Sequence, residues 1–173
     1  MDEQPDQSLS VAEPNPAYFP VSILKLVVLS ICTFGIYEIY WYYNNWCAIR
    51  DRDKVEMVPL GRAIFAYFFC YSLFKDIKAK ADSQGIETSV EPATLTTGWI
   101  VFTLLVRLPD PFWLISFFSV VFLLPVQSAV NKINGVRCPS HDRNRAFTKL
   151  NILGIVVGGL AFLLVVVGTF LPG

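Results

Sequence analysis

The sequence predicts an all-α, multi-pass integral membrane protein, and three observations carry that expectation. Hydrophobic residues make up 54% of the 173 positions and charged residues 16%, against roughly 45–50% and about 25% in soluble domains. The apolar excess is gathered into runs. Two of these, residues 21–43 and 152–171, have the roughly 20 residues that a helix needs to cross a bilayer. The basic residues fall between the runs in clusters, as the short loops of membrane proteins place them. Fourteen Lys and Arg against fourteen Asp and Glu give a formal net charge of zero, so nucleic acid is not an expected partner.

Residues 1–20 read as a disordered acidic tail. Asp2, Glu3, Asp6 and Glu13 supply charge, Pro5, Pro14, Pro16 and Pro20 break helices, and little apolar surface is left to bury. The tail lacks the basic start and small-residue cleavage site of a signal peptide, so the run over 21–43 is expected to stay as a first span. Residues 21–173 then form one membrane-embedded helical domain.

Within that domain the segment 61–84 changes character halfway. Its first half is apolar and aromatic. In its second half Leu73, Phe74, Ile77 and Ala81 recur at helical spacing among Lys75, Asp76, Lys78, Lys80 and Asp82. This pattern predicts an amphipathic helix lying at the inner interface, stopped by Gly85. Runs 95–108 and 112–126 flank Pro109-Asp110-Pro111, where prolines oppose a continuous helix. At 1.5 Å per residue each arm reaches only about 21–23 Å. The two runs therefore predict a short helical hairpin, which either crosses a thinned bilayer or stops inside it.

The charges orient this arrangement. If residues 63–74 do not cross, Arg50, Arg52, Lys54, Arg62, Lys75, Lys78 and Lys80 share a side with Lys132, Arg137, Arg143, Arg145 and Lys149. Of the fourteen basic residues only Lys25 and Arg107 stand apart. The positive-inside rule makes the shared side cytoplasmic and both termini periplasmic or extracytoplasmic.

Glu38 is the one carboxylate in an aromatic stretch, TFGIYEIYWYYNNW, over residues 33–46. Glu38, Trp41, Tyr42 and Asn45 lie at i, i+3, i+4 and i+7 and form one polar stripe. A continuous helix from position 21 puts them about 25 Å along, at the inner interface where amphipathic rings concentrate. The stretch then reads first as a structural girdle, with Glu38 bonded to a tyrosine or a basic group, and second as a ligand or proton site. Arg107 and Asp110 at the hairpin tip are costly as isolated intramembrane charges, and a mutual pair is expected. Lys75, Lys78, Lys80, Arg143, Arg145 and Lys149 are candidate contacts for anionic headgroups or a partner, at about 1 kcal/mol per basic residue near the surface. Gly154, Gly158 and Ala161 form a stripe of small residues on the last run, suited to close helix packing within the chain or between copies.

Other chemistry finds little support. Ser140, His141 and Asp142 are adjacent, whereas a catalytic triad is assembled from distant positions. Cys32, Cys47, Cys70 and Cys138 show no CxxC spacing, and disulfides are not expected on a reducing side. No catalytic residue, metal or cofactor is assigned.

Thr33-Phe34-Gly35-Ile36-Tyr37, followed by Tyr40-Trp41, resembles the signature of a bacterial membrane family known as domain of unknown function 4234. In that family a T-x-G-aliphatic-Y stretch leads into a Y-W pair at the end of the first span. Tyr71-Ser72-Leu73-Phe74, Leu108-Pro109-Asp110-Pro111 and Asn151-Ile152 are similar to longer members, so the resemblance covers most of residues 18–171. It implies a multi-pass bacterial membrane protein without an assigned activity. The expected function is a non-enzymatic inner-membrane scaffold or accessory subunit. Its expected partners are anionic lipids on the cytoplasmic side, and a further membrane protein or a second copy. A small transporter or channel component using Glu38 and the Arg107–Asp110 pair is the second reading. A lipid-directed enzyme using His141 and Asp142 is the third.

Overall fold

In the computed structural model, which describes residues 15–170, α-helices and 3-10 segments make up the regular structure, with no strand among the described residues. Two helices are long and apolar enough to cross a membrane: Phe112–Arg137 and Lys149–Phe170. The expected span over 21–43 is not one of them. The chain there makes two helices, α1 (Ile23–Cys32) and α2 (Ile36–Asp53), joined by a reversal at Thr33-Phe34-Gly35.

The reversal has a local cause. Phe34 and Gly35 both take positive φ, +53° and +83°. The Phe34 N–H bonds the Ile31 carbonyl and the Gly35 N–H bonds the Ser30 carbonyl at 2.8 Å, a Schellman closure of α1. The Thr33 hydroxyl donates to the Leu29 carbonyl at 2.6 Å and accepts the Tyr37 N–H at 3.0 Å. One side chain thus adds a second bond to the Leu29 carbonyl of α1, which already accepts the Thr33 N–H, and serves a free N–H of α2. Glycine at 35 avoids the roughly 1–2 kcal/mol that a side chain costs in this conformation. Phe34 bears that cost, offset by edge contacts with Phe117 and Phe162, each with ring centroids 6.0 Å away.

The reversal changes where everything before it lies. Lys25 Nζ donates to Asn144 Oδ1 at 2.7 Å and to the Ala146 carbonyl at 2.8 Å, in the loop ahead of α7 (Lys149–Phe170). The Cys32 carbonyl packs so closely on Gly158 that a Cβ there would overlap it. So α1 runs beside α7 for about 14 Å, and α2 returns to the starting end. Lys25 therefore joins the other basic residues rather than facing them across a bilayer. The described ends, Asn15 and Phe170, lie toward opposite ends of α7.

Residues 15–20, expected to be disordered, form an irregular segment bent at Ala17-Tyr18 and wedged between α2 and α6 (Leu124–Arg137), with Ala17, Tyr18 and, just beyond, Val21 fully buried. Residues 1–14 of the expected tail lie outside the described residues. A buried irregular segment must find partners for its backbone, and here side-chain amides supply them. Asn134 accepts the Tyr18 N–H at 3.2 Å and donates to the Tyr18 carbonyl at 2.9 Å. Asn45 accepts the Phe19 N–H at 3.2 Å. Gln127 donates to the Phe19 and Val21 carbonyls, Asn131 to Val21 and Asn144 to Pro20. Gln127, Asn131 and Asn134 are spaced i, i+4 and i+7, one face of α6.

The segment 61–84 divides at Phe65 into α3 (Pro59–Ile64) and α4 (Ala66–Ser83). Leu73, Phe74, Ile77 and Ala81 are fully buried, as their spacing predicts, while Phe68 and Tyr71 face outward. Gly85 ends α4 at φ +66°, with the Ile86 N–H on the Ala81 carbonyl. The hairpin is α5 (Pro92–Leu104), a 3-10 turn (Leu105–Arg107), and a 3-10 segment (Phe112–Leu123) that runs on into α6. The second arm thus continues to Arg137 rather than ending at 126. Side chains three apart eclipse in a 3-10 helix. Phe112, Ile115, Phe118 and Val121 consequently form a straight exposed row. The next row is Trp113, Ser116, Ser119 and Phe122, and the Phe122 ring occupies the space a side chain at Gly98 would need.

Asn134→Leu preserves bulk but strands the N–H and carbonyl of Tyr18. It is expected to cost about 1–3 kcal/mol for each orphaned group, read as a lowered unfolding midpoint in detergent. An unchanged midpoint would refute the amide-clamp account.

Candidate functional site

Two places bring polar groups together, one deep between the helices and one at the basic end. The deep one surrounds Glu38, which the structure turns inward. The stripe Glu38, Trp41, Tyr42 and Asn45 is the core face of α2: Trp41, Tyr42 and Asn45 are fully buried and Glu38 is 5% exposed. Ile36, Ile39, Tyr40 and Tyr43 take the exposed face instead. The aromatic stretch therefore divides, with Tyr37, Trp41, Tyr42 and Trp46 in the core and Phe34, Tyr40 and Tyr43 exposed, because the reversal at 33–35 makes α2 a returning helix with partners on its polar side. Trp41 Nε1 donates to Gln127 Oε1. The Glu38 partner is neither a tyrosine nor a base: Trp99 Nε1 of α5 donates to Glu38 Oε2 at 2.7 Å, with Ser119 on the same lining.

Beside this carboxylate is a cavity of about 280 Å³. Tyr42, Tyr67, Trp99, Trp113, Phe117 and Phe34 supply its aromatic wall, and Ser30, Thr103, Ser116 and Ser119 its hydroxyls. The 3-10 winding matters here, since it aligns Trp113, Ser116 and Ser119 in one row toward Glu38. Ser30 Oγ and Tyr42 OH are buried on this lining without a hydrogen-bond partner. Ile36, Ile64 and Val106, all more than half exposed, form an apolar rim.

At the other end, Arg52 is sandwiched between Asp53 and Asp76, at 2.6 and 3.0 Å, and lies over the Tyr18 ring at 4.9 Å. The Tyr18 hydroxyl donates to Asp76 at 2.7 Å. Burial, then the Asp76 carboxylate, raise the Tyr18 phenol well above its ordinary range, so it stays a neutral donor. This cluster locks the irregular segment to α2 and α4. Next to it lies a cleft of about 370 Å³ lined by Ser22, Asn131, Lys132, His141, Arg143 and Arg145. The N-terminus of α1 opens onto it, with the Ser22 hydroxyl capping the Lys25 N–H at 3.2 Å.

The predicted residues fall out as follows. Arg143 and Arg145 meet in the cleft, and Lys149 is exposed at the start of α7 beside their loop. Lys75 is exposed, Lys80 half-buried, and Lys78 is paired with Asp82 one turn away. Arg107 and Asp110 are both exposed at the hairpin tip, and the ion pairs among the described residues do not include the expected one between them. Gly158 makes its close contact inside the chain, against α1, while Gly154 has open space where a Cβ would stand and Ala161 is half-buried. His141 Nδ1 is hydrogen-bonded to the Cys138 carbonyl, and Asp142 accepts the Asn144 N–H at 2.8 Å, so both shape the loop rather than facing each other. No group of three His, Cys, Asp or Glu positioned for a metal occurs among the described residues.

Sequence reasoning missed Trp99, Lys25 and the amides of α6. Amides at i, i+4 and i+7 in an otherwise apolar helix were the available signal for the last. Compared with known proteins, the chain matches no family model, no curated protein and no solved structure.

Trp99→Phe keeps the ring but removes the donor to Glu38 and is expected to cost about 1–3 kcal/mol. Glu38→Gln retains an acceptor for Trp99 and should lie within about 1 kcal/mol of wild type. Thermal unfolding of both variants checks the order; a milder effect for Trp99→Phe than for Glu38→Gln would contradict it.

Proposed function

We propose that the protein is a non-enzymatic scaffold or accessory subunit of a bacterial inner membrane, multi-pass, which grips anionic lipid headgroups with its basic end in the cytoplasm. The observation that carries this reading is the cleft between Lys132, Arg143 and Arg145 over the N-terminus of α1. Three cations, hydroxyl and amide donors, and the positive end of a helix converge there, which is the chemistry that suits a phosphate. The cleft stands at the end from which the apolar faces of α7 and the hairpin depart, the level of a headgroup. The bacterial inner membrane enters this reading through the T-x-G-aliphatic-Y resemblance alone.

The two long apolar helices support crossing by α7 and by the second hairpin arm. In this reading α1, α2, α3 and α4 enter from the basic end and return to it. Gathering Lys25 with the other cations strengthens the cytoplasmic assignment of that end. The side reached by Phe170 is then extracytoplasmic.

Two measurements test this. In native mass spectrometry of detergent-released protein, phosphatidylglycerol should be retained over phosphatidylcholine. At about 1 kcal/mol per basic residue, Arg143→Ala with Arg145→Ala should weaken that retention roughly 30-fold. Equal retention of the two lipids would defeat the proposal. In intact cells, a maleimide that does not cross the membrane should label Phe170→Cys and spare Lys80→Cys; the reverse pattern would invert the orientation.

A further inference from the structure

The Glu38 cavity is separate from the cleft at the basic end, and neither the headgroup reading nor packing accounts for it. A carboxylate that is 5% exposed is expensive without a charge partner, yet the ion pairs among the described residues do not include Glu38. Its hydrogen bond comes from a neutral donor, Trp99 Nε1. Two further polar atoms of the lining, Ser30 Oγ and Tyr42 OH, are buried and unpartnered, which native interiors rarely tolerate. The remaining wall is built of ring systems, among them Trp99, Trp113, Tyr67 and Phe117.

An anion flanked by π-faces is the recognised surroundings of an organic cation, since ring quadrupoles and a carboxylate attract the same charge. A bare metal ion does not suit the place: hard cations take six or more oxygens, and no metal-holding cluster occurs among the described residues. The volume of about 280 Å³ lies at the small end of the roughly 300–1,000 Å³ of ordinary ligand pockets. The rim of Ile36, Ile64 and Val106 is apolar, so a guest arrives from the hydrocarbon side and must itself be lipid-soluble.

We propose that the Glu38 cavity is a binding site for a small lipophilic amine, held as its ammonium ion. The ammonium donates to the Glu38 carboxylate and to the unpartnered oxygens of Ser30 and Tyr42. Its apolar body lies against the rings of Trp113 and Phe117. Binding of this kind supplies the charge partner and the hydrogen bonds that the folded chain leaves open.

The probe is 4-phenylbutylamine, with 4-phenyl-1-butanol as its neutral counterpart, titrated into the purified full chain in lipid nanodiscs. Fluorescence of Trp99 and Trp113 reports occupancy. The amine is expected to bind at least tenfold more tightly than the alcohol, and Glu38→Gln to abolish that preference. Ile64→Trp, at the exposed rim, should block the amine while leaving the carboxylate in place, which covers the case of a poorly folded Glu38→Gln. Equal affinity for amine and alcohol in the wild-type chain would overturn the proposal. So would a folded Glu38→Gln that keeps the tenfold preference. Neither result bears on lipid retention at the basic end, so the two proposals fail separately.

Discussion

The fold depends on satisfying the backbone of a short buried segment that has no secondary structure of its own. In a low-dielectric interior each unpaired N–H or carbonyl costs several kcal/mol, and residues 18–21 present a run of them. Asn45, Gln127, Asn131, Asn134 and Asn144 answer that demand from α2, α6 and the loop before α7. The bonds fix the register of α2 against α6 and hold the start of α1 at the basic end. With its start anchored there and Asn45 returned to the same level, the chain between them has to turn back. The T-F-G turn is where it does so, and its position sets which residues of α2 face Trp99.

How much of this could be read in advance depended on whether a signal was local. The buried stripe Leu73, Phe74, Ile77 and Ala81, the glycine stop at 85, the break at Pro109-Asp110-Pro111 and the long apolar α7 are all properties of short windows, and all are present. The interruption at 33–35 was equally local, but it lies inside an apolar run whose length alone satisfied the criterion for a span. Thr33 and Gly35 were visible as a motif, and the turn chemistry they encode was passed over. For Glu38 the spacing correctly identified a face of the helix. Spacing cannot say which way a face looks, because that is decided by partners more than fifty residues away. The expected pairing of Arg107 and Asp110 is absent because nearness in sequence does not fix the direction of two exposed side chains on either side of a turn.

The molecule separates its charges unusually sharply. Cations crowd one end, where Arg52 and Lys78 are partly neutralised by Asp53, Asp76 and Asp82 and Arg143 and Arg145 are exposed. The interior keeps a single carboxylate among rings. The two proposals, attraction to a charged leaflet and recognition of a buried guest, therefore concern different regions. Changes at one can be made without disturbing the other's hydrogen bonds.

The 3-10 winding of Phe112–Leu123 has a consequence for reach. Twelve residues advance about 24 Å at 2.0 Å each, where an α-helix of equal length advances about 18 Å. With α6 behind it, the arm measures about 45 Å, more than the roughly 30 Å hydrocarbon thickness. As an α-helix the 26 residues of Phe112–Arg137 would already advance about 39 Å, so the tighter winding adds about 6 Å of reach, all of it in the apolar first half of the arm. The length of this arm is set by helical pitch as well as by the number of its apolar residues.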